Sequence, residues 1–384
     1  VFLRPNFLFL LTAAGRSTKS PSVSTKQEIH NFTSLQSQTV MFQLFTFFLF
    51  SIRFSETLIS CFNEDGQPVD WFIIYKLPLY KMEVKGSGVD YMYLDPSVVD
   101  FQRSKYTVNS SEGALGRTLA QLYSGYTSNT SAYLLYNDAP PELQYPSNYG
   151  HTKGALMFDH SQGFWITHSV PHFPPFPERN YSYPSSGKYY GQTLLCITLS
   201  YRQFPLISQQ LAYLNPRVYN CSVPKQFHQD IAVVAQICDG EPPGIKNRRS
   251  LQKLESVRGQ TFISFAKSHK YVEDIYAAWV AQALKTDLLV ESWLHQAHGL
   301  PSNCSLPWHV MNINRVCLPG PQMFRNYEDH SKWGVSHAFH DQWTCLGDLN
   351  RDRGQAVRSG GLICSQNAII YKGFRQAMAS YKHC

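Results

Sequence analysis

The sequence predicts an α/β protein built from two halves of similar length. Three observations carry this: strand-like runs alternate with amphipathic helical stretches, a polar, basic, turn-rich segment divides the chain, and the pattern His-x-Lys occurs once on either side of that segment.

Taken in chain order, residues 1–40 start at Val1, are rich in Ser and Thr and lack core-forming periodicity apart from an apolar run at 7–11. They are expected to be a non-native upstream extension. Met41 opens an apolar run that Arg53 and Glu56 interrupt. It suits the core of a signal peptide over 41–60, cleaved just before Cys61, and is too short to span a bilayer. Residues 61–238 form the expected N-terminal half, in which Leu115, Leu119, Leu122 and Tyr126 recur at helical spacing. Residues 239–259, with Pro242, Pro243, Gly244 and Arg249, read as the linker. The C-terminal half, 260–384, opens with a helix over about 273–285 that has Ile275, Trp279 and Ala283 on one face. It closes with another, carrying Ile370, Phe374, Met378 and Tyr381.

A hydrophobic fraction of 43% is enough for a full core, so the chain need not be disordered. Nine cysteines without any C-x-x-C spacing argue against a zinc module and for disulfides made in an oxidising compartment, one thiol being left over. Sequons at Asn109, Asn129, Asn180, Asn220 and Asn303 point to a glycoprotein of the same secretory route, lysosomal or secreted, with no stable membrane anchor. The formal charge is +7, and the 14 histidines would add to it in an acidic organelle. On charge alone the chain is equally an ordinary basic soluble protein.

The first His-x-Lys lies in Gly150-His151-Thr152-Lys153-Gly154, which runs into apolar residues, turns at 159–163 and returns as Phe164-Trp165-Ile166-Thr167-His168. This reads as a β-hairpin. A turn centred between His160 and Ser161 gives one register. A shift of one residue toward Asp159 gives another, which places His151 opposite His168. The second is expected, because directly opposed side chains share a face about 5 Å apart at Cβ, and period-two alternation adds Lys153 to that face. Two histidines and a lysine on one face supply what phosphodiester cleavage without a metal requires: a nucleophile or base, a proton donor and a fixed cation. As a bare pattern, two His-x-Lys copies in a chain with 14 histidines are only mildly surprising.

The second copy, His330-Ser331-Lys332-Trp333, is also expected to present histidine and lysine on one face of a strand. Asp329 beside it either orients an imidazole or is a solvated loop charge. Trp165 and Trp333 have the chemistry to stack on bases, although packing is the commoner use of such tryptophans.

These residues belong to longer segments: Gly66-Gln67-Pro68-Val69-Asp70-Trp71-Phe72, Gly163-Phe164-Trp165 with His168-Ser169-Val170-Pro171, 262–267, Pro301-Ser302-Asn303-Cys304, Asp329 to Trp333, and Trp343-Thr344-Cys345. In that order, across 61–384, the sequence resembles the deoxyribonuclease II family, nearer its beta than its alpha form. The resemblance implies a phospholipase-D-like fold: two α/β halves related by a pseudo-twofold, with mixed sheets flanked by helices, each giving one His-x-Lys to a shared site. It implies acid, metal- and cofactor-independent cleavage of double-stranded DNA to 3′-phosphate and 5′-hydroxyl ends. By position, His151, Lys153, His168, His330 and Lys332 are the catalytic set, with His151 the first candidate for nucleophile and His330 for acid. It also implies the disulfides Cys61–Cys196, Cys304–Cys384 and Cys345–Cys364, with Cys221–Cys238 added in beta-like members. One departure stands out. The family usually has Cys after His-Ser-Lys-Trp, where this chain has Gly334; Cys317 is then unpaired and the second motif is expected to be looser. Competing expectations are a phosphodiesterase acting on another diester, and an inactive secreted binding glycoprotein of the same fold.

Overall fold

The computed structural model describes residues 58–384 apart from 83, 145–147, 295–297 and 321. The expected extension and leader therefore lie outside the described residues, save Leu58, Ile59 and Ser60. No helix among the described residues is long and apolar enough to cross a membrane.

Two large sheets dominate. The first is built from β1 (Trp71–Lys76), β2 (Asp90–Leu94), β3 (Gln102–Thr107), β4 (Ala132–Asn137), β5 (Lys153–Phe158), β6 (Gln162–His168), β7 (Gln192–Ser200) and β8 (Val218–Ser222), in the order β8-β4-β5-β6-β7-β1-β2-β3. The second contains β9 (Arg249–Glu255), β10 (Thr261–Lys267), β11 (Leu288–Glu291), β12 (Val310–Leu318), β13 (Gln322–Arg325), β14 (Trp333–Ser336), β15 (Thr344–Gly347), β16 (Gly360–Ser365) and β17 (Met378–Lys382). Its order is β9-β10-β16-β15-β14-β11-β12-β13, with β17 on β12. All pairs in the first sheet are antiparallel, and β11–β12 is parallel in the second. The chain is thus α/β with one antiparallel and one mixed sheet. β9 lies within the stretch read as linker, so the exposed connection shortens to about 239–248.

Both faces of the central strands are covered, which explains why they read as near-continuous apolar runs. In β1, Trp71, Ile73 and Tyr75 enter a core shared with the second sheet, through Phe262, Leu289, Trp333 and Ile363. Phe72 and Ile74 face the other way, onto α1 (Ala114–Gly125), whose Leu115, Leu119 and Leu122 occupy the expected stripe. Helices α2 (Phe204–Leu214), α3 (Ala232–Cys238) and α5 (Ala368–Ala377) contribute to the shared core. On the outer side of the second sheet packs α4, a π-helical turn at Tyr276–Val280 continuing as Ala281–Leu284. The π turn holds one extra residue, so it rotates the helical residues C-terminal to it. Ile275 and Trp279 are buried, whereas Ala283 is exposed instead of sharing their face. Helix α5 ends at Ala377, so Met378 and Tyr381, expected on it, sit on β17, where the chain extends to add a strand to β12.

The four disulfides are Cys61–Cys196, Cys221–Cys238, Cys304–Cys384 and Cys345–Cys364, and Cys317 is free. Asn109, Asn129 and Asn180 are exposed. Asn220 and Asn303 are half-buried, the first accepting from the Tyr133 hydroxyl at 2.6 Å.

Candidate active site at the junction of the two sheets

The β5–β6 hairpin adopts the other register. Gly163 pairs with Phe158, Trp165 with Leu156 and Thr167 with Gly154, so one further step opposes His168 to Lys153, not to His151. The turn chemistry decides this. The Asp159 carboxylate accepts from the N–H groups of Ser161 and Gln162 at 2.7 and 3.0 Å, fixing His160-Ser161 as a two-residue loop. His151 then lies outside the strand, in the segment entering it.

That segment is held by the opposite sheet. His151 N–H donates to the Ser359 carbonyl at 2.9 Å, and its Nδ1 lies 2.6 Å from the Asp348 carbonyl, which can only accept. The Nδ1 proton is thereby assigned, leaving Nε2 with the lone pair. Nε2 is 3.9 Å from Asp138 Oδ2. Asp138 also takes the Lys153 ammonium and, at 3.1 Å, the Arg358 guanidinium. Burial pushes the Asp138 carboxyl up, but Lys153, His151 and Arg358 together hold it well below the ordinary carboxylate range.

The second motif mirrors this anchoring. His330 N–H donates to the Gly191 carbonyl of the first sheet's half at 2.8 Å. Its ring stacks on Tyr190 at 3.9 Å between centroids and 7° between planes, with Trp293 at 4.2 Å on an inclined plane. Lys332 Nζ donates to the His330 carbonyl at 2.5 Å, and the Lys332 carbonyl accepts from Gly347, the residue before Asp348. A short path therefore joins Lys332 to the carbonyl that holds His151. His330 and Lys332 precede β14 rather than lying on a strand face.

Burial, then Lys332, Lys153 and His151, push His330 down to about 2. His151 is also lowered, by burial and Lys153, with Asp138 opposing. Burial and then Lys153 lower Lys332 to about 7. These mutual influences mean that both His-x-Lys copies lie around one shared space. His168 joins its edge. Its Nδ1 accepts from Val170 N–H at 3.2 Å, which leaves Nε2–H as a buried donor without a partner, and burial followed by Lys153 lowers its pKa to about 3.

Asp329 does not orient an imidazole. Its carboxylate is fully buried and takes the Tyr75 hydroxyl, the Ser331 N–H at 2.9 Å and the Ser331 hydroxyl at 2.7 Å, which sets the shape of the second motif. Trp165 and Trp333 are packing residues, each buried with its indole N–H on a tyrosine hydroxyl, Tyr136 and Tyr75 respectively, at 3.0 Å. Gly334 has β11 on one side and β15 on the other, so the backbone after the second motif is ladder-bonded on both edges. Among the described residues, no group of three or more His, Cys, Asp or Glu side chains is placed to hold a metal ion.

Sequence reasoning missed Asp138, Asp348, Glu291, Tyr190 and Arg358. Burial pushes Asp348 up to about 7, with Lys153 the largest opposing influence. Glu291, with both carboxylate oxygens buried and unpartnered, is pushed well above its ordinary value by burial and Asp329. None of these stands in a recognisable local pattern.

The deoxyribonuclease II family model matches residues 60–384. The chain belongs to the deoxyribonuclease II family. Human deoxyribonuclease-2-beta is 47% identical over 335 residues, 85% of this chain and 92% of its own length. The rat beta enzyme is 48% identical over 331 residues, with 85% and 93% covered. Pig deoxyribonuclease-2-alpha is 41% identical over 337 residues, with 85% and 91% covered. Identity to these two beta members is thus greater than to the alpha member.

Proposed function

We propose that this family member is an acid, metal-independent endonuclease that hydrolyses double-stranded DNA to 3′-phosphate and 5′-hydroxyl ends, in a lysosome or after secretion. The observation that supports the reading is that His151 with Lys153 and His330 with Lys332 lie close enough to influence one another's charge, each motif being hydrogen-bonded to the other half. The two halves are proposed to be related by a pseudo-twofold of the phospholipase-D-like kind, with 61–238 and 260–384 as its units.

In this reading His151 Nε2 attacks phosphorus while the P–O5′ bond breaks. Its Nδ1 keeps its proton and donates it to the Asp348 carbonyl, so the lone pair stays on Nε2. Protonated His330 gives its proton to the departing O5′, and the face of Tyr190 stabilises the imidazolium. Water then attacks the phosphohistidine, neutral His330 takes its proton, and the 3′-phosphate leaves with His151 restored. Lys153 and Lys332 hold the equatorial oxygens, and the unpaired His168 Nε2–H offers a further donor. Acid is required because the free site disfavours the charged imidazole, whereas a bound phosphate between the lysines favours it.

The test is nicking of supercoiled plasmid by the purified chain across pH 4 to 8 in EDTA, with the ends identified. Cleavage persisting in chelator and leaving 3′-phosphates is expected. Abolition by chelation with recovery in magnesium, or action on lipid diesters but not DNA, would overturn it.

A further inference from the structure

Two buried lysines outside the motifs occupy the same place in the two sheets. Lys76 is the last residue of β1 and pairs with Gln192, the first residue of β7; Lys267 is the last residue of β10 and pairs with Gly360, the first residue of β16. Both are 0% exposed. Lys76 Nζ donates to the carbonyls of Lys188, at 3.1 Å, and Tyr190, which stand four and two residues before Gln192. Lys267 Nζ donates to the carbonyls of Ala356, at 2.8 Å, and Arg358, at 2.6 Å, four and two residues before Gly360; Tyr271 O, at 2.8 Å, completes its set.

The match continues into the site. The residue just before each receiving strand, Gly191 or Ser359, gives its carbonyl to the N–H of a motif histidine from the other half: Gly191 to His330 and Ser359 to His151. One residue earlier, Tyr190 stacks on His330, and Arg358 binds Asp138, which faces His151 and Lys153.

We infer that Lys76 and Lys267 are paired positioning residues, each clamping the short loop by which its own half holds the other half's histidine: Lys76 serves His330 and Lys267 serves His151. The roles of those histidines rest on the function proposed above; the clamp itself does not. A buried ammonium donating to two carbonyls of one loop, as both lysines do, draws that loop into one conformation, and a point charge with freely directed donors suits this better than a planar guanidinium. Burial lowers Lys76 to about 7 and Lys267 to about 8, so both clamps keep their charge under acid conditions.

The experiment uses the full chain with Lys76→Met and Lys267→Met, beside Tyr190→Leu and Arg358→Met, which cut the same two paths one link later. Lys105→Met, an exposed pair with Asp65, is the control. Misplacement of a reacting group by about 1 Å costs on the order of 100-fold, so each clamp variant is expected to lose about that in kcat while KM for plasmid moves less than threefold. The losses differ in kind. Lys76→Met and Tyr190→Leu should shift the alkaline limb of kcat and the His330 ring resonance in a histidine NMR titration without DNA. Lys76 is itself one of the charges that lower that ring, beside Lys332, Lys153 and His151, so the shift counts as positional only where Tyr190→Leu, which keeps all four charges, moves the resonance as well. Lys267→Met and Arg358→Met should instead reduce covalent intermediate trapped on His151.

Each lysine variant combined with its own downstream partner should be less than additive, and across paths additive. Lysine variants with wild-type kcat and pH profile, a loss confined to thermal stability, or an unmoved His330 resonance would overturn the proposal. If a lysine variant does not fold, its downstream partner carries the same test. A wild-type chain that does not cut DNA sinks the nuclease reading, while the NMR titration still decides the clamp.

Discussion

Asp138→Asn tests the electrostatics of the first motif. The carboxylate lies 3.9 Å from His151 Nε2 and directly on Lys153, and the Asp138 and His151 side chains are only 12% and 16% exposed. Unit charges about 4 Å apart interact by about 4 kcal/mol at an effective dielectric near 20. If half to all of that is expressed while charge develops at the site, kcat/KM falls roughly 30- to 1000-fold. Asparagine keeps the shape and one acceptor, so the loss is one of charge. DNA binding should respond oppositely: removing an anion from an electropositive site leaves Kd unchanged or tighter, with a salt dependence at least as steep. The measurements are plasmid nicking in EDTA at pH 5 and anisotropy binding of a labelled duplex at several salt concentrations. They are made on protein verified as folded, since uncoupling a buried ion pair costs about 3–5 kcal/mol. Cleavage within threefold of wild type, or a parallel loss of binding, would refute the assignment.

The pH profiles give a second test. A proton donor acts only below its own pKa, and in the free site burial, Lys332, Lys153 and His151 press His330 down to about 2. Bound phosphate relieves this, so the alkaline limb of kcat/KM should lie at lower pH than that of kcat, and turnover rising steadily through pH 8 would exclude His330 as acid. His151→Ala and His330→Ala should each remove nearly all turnover, and the double variant should be little worse; a tenth of wild-type rate retained would demote that histidine. Gly334→Ala brings a Cβ within 3.3 Å of Val290 Cγ2 in a strand bonded on both sides. Activity within about twofold and a small change in Tm are expected, and a large loss of activity with an intact fold would show that the absent side chain matters to the motif.

Periodicity located what depends on neighbours in sequence. The stripe of Leu115, Leu119 and Leu122 is α1, and the runs before and after Asp159 are β5 and β6. The hairpin register was not legible from face-sharing, because the turn is set by the Asp159 carboxylate rather than by the histidines it was expected to align. The disulfide pairs were legible through resemblance, which also singled out His151, Lys153, His168, His330 and Lys332 as the proposed catalytic set. Asp138 was not: its partners are Lys153, on β5, and Arg358, in the loop before β16, 15 and 220 positions away in sequence. Lys76 and Lys267 were hidden for a different reason. A lysine at a strand end reads as a solvated terminus until the fold buries it and supplies loop carbonyls for its ammonium.

The disulfides divide as the sheets do. Cys61–Cys196 and Cys221–Cys238 staple only the first, Cys304–Cys384 and Cys345–Cys364 only the second. The exposed connection at about 239–248 is therefore the one covalent tie between them among the described residues. A protease that nicks it would yield two pieces joined by the shared core and the reciprocal histidine anchors, still competent to act. Under denaturant these pieces would part without any reductant. Reassociation would then become a second-order event, and the recovery of cleavage would depend on protein concentration where the unnicked chain's would not.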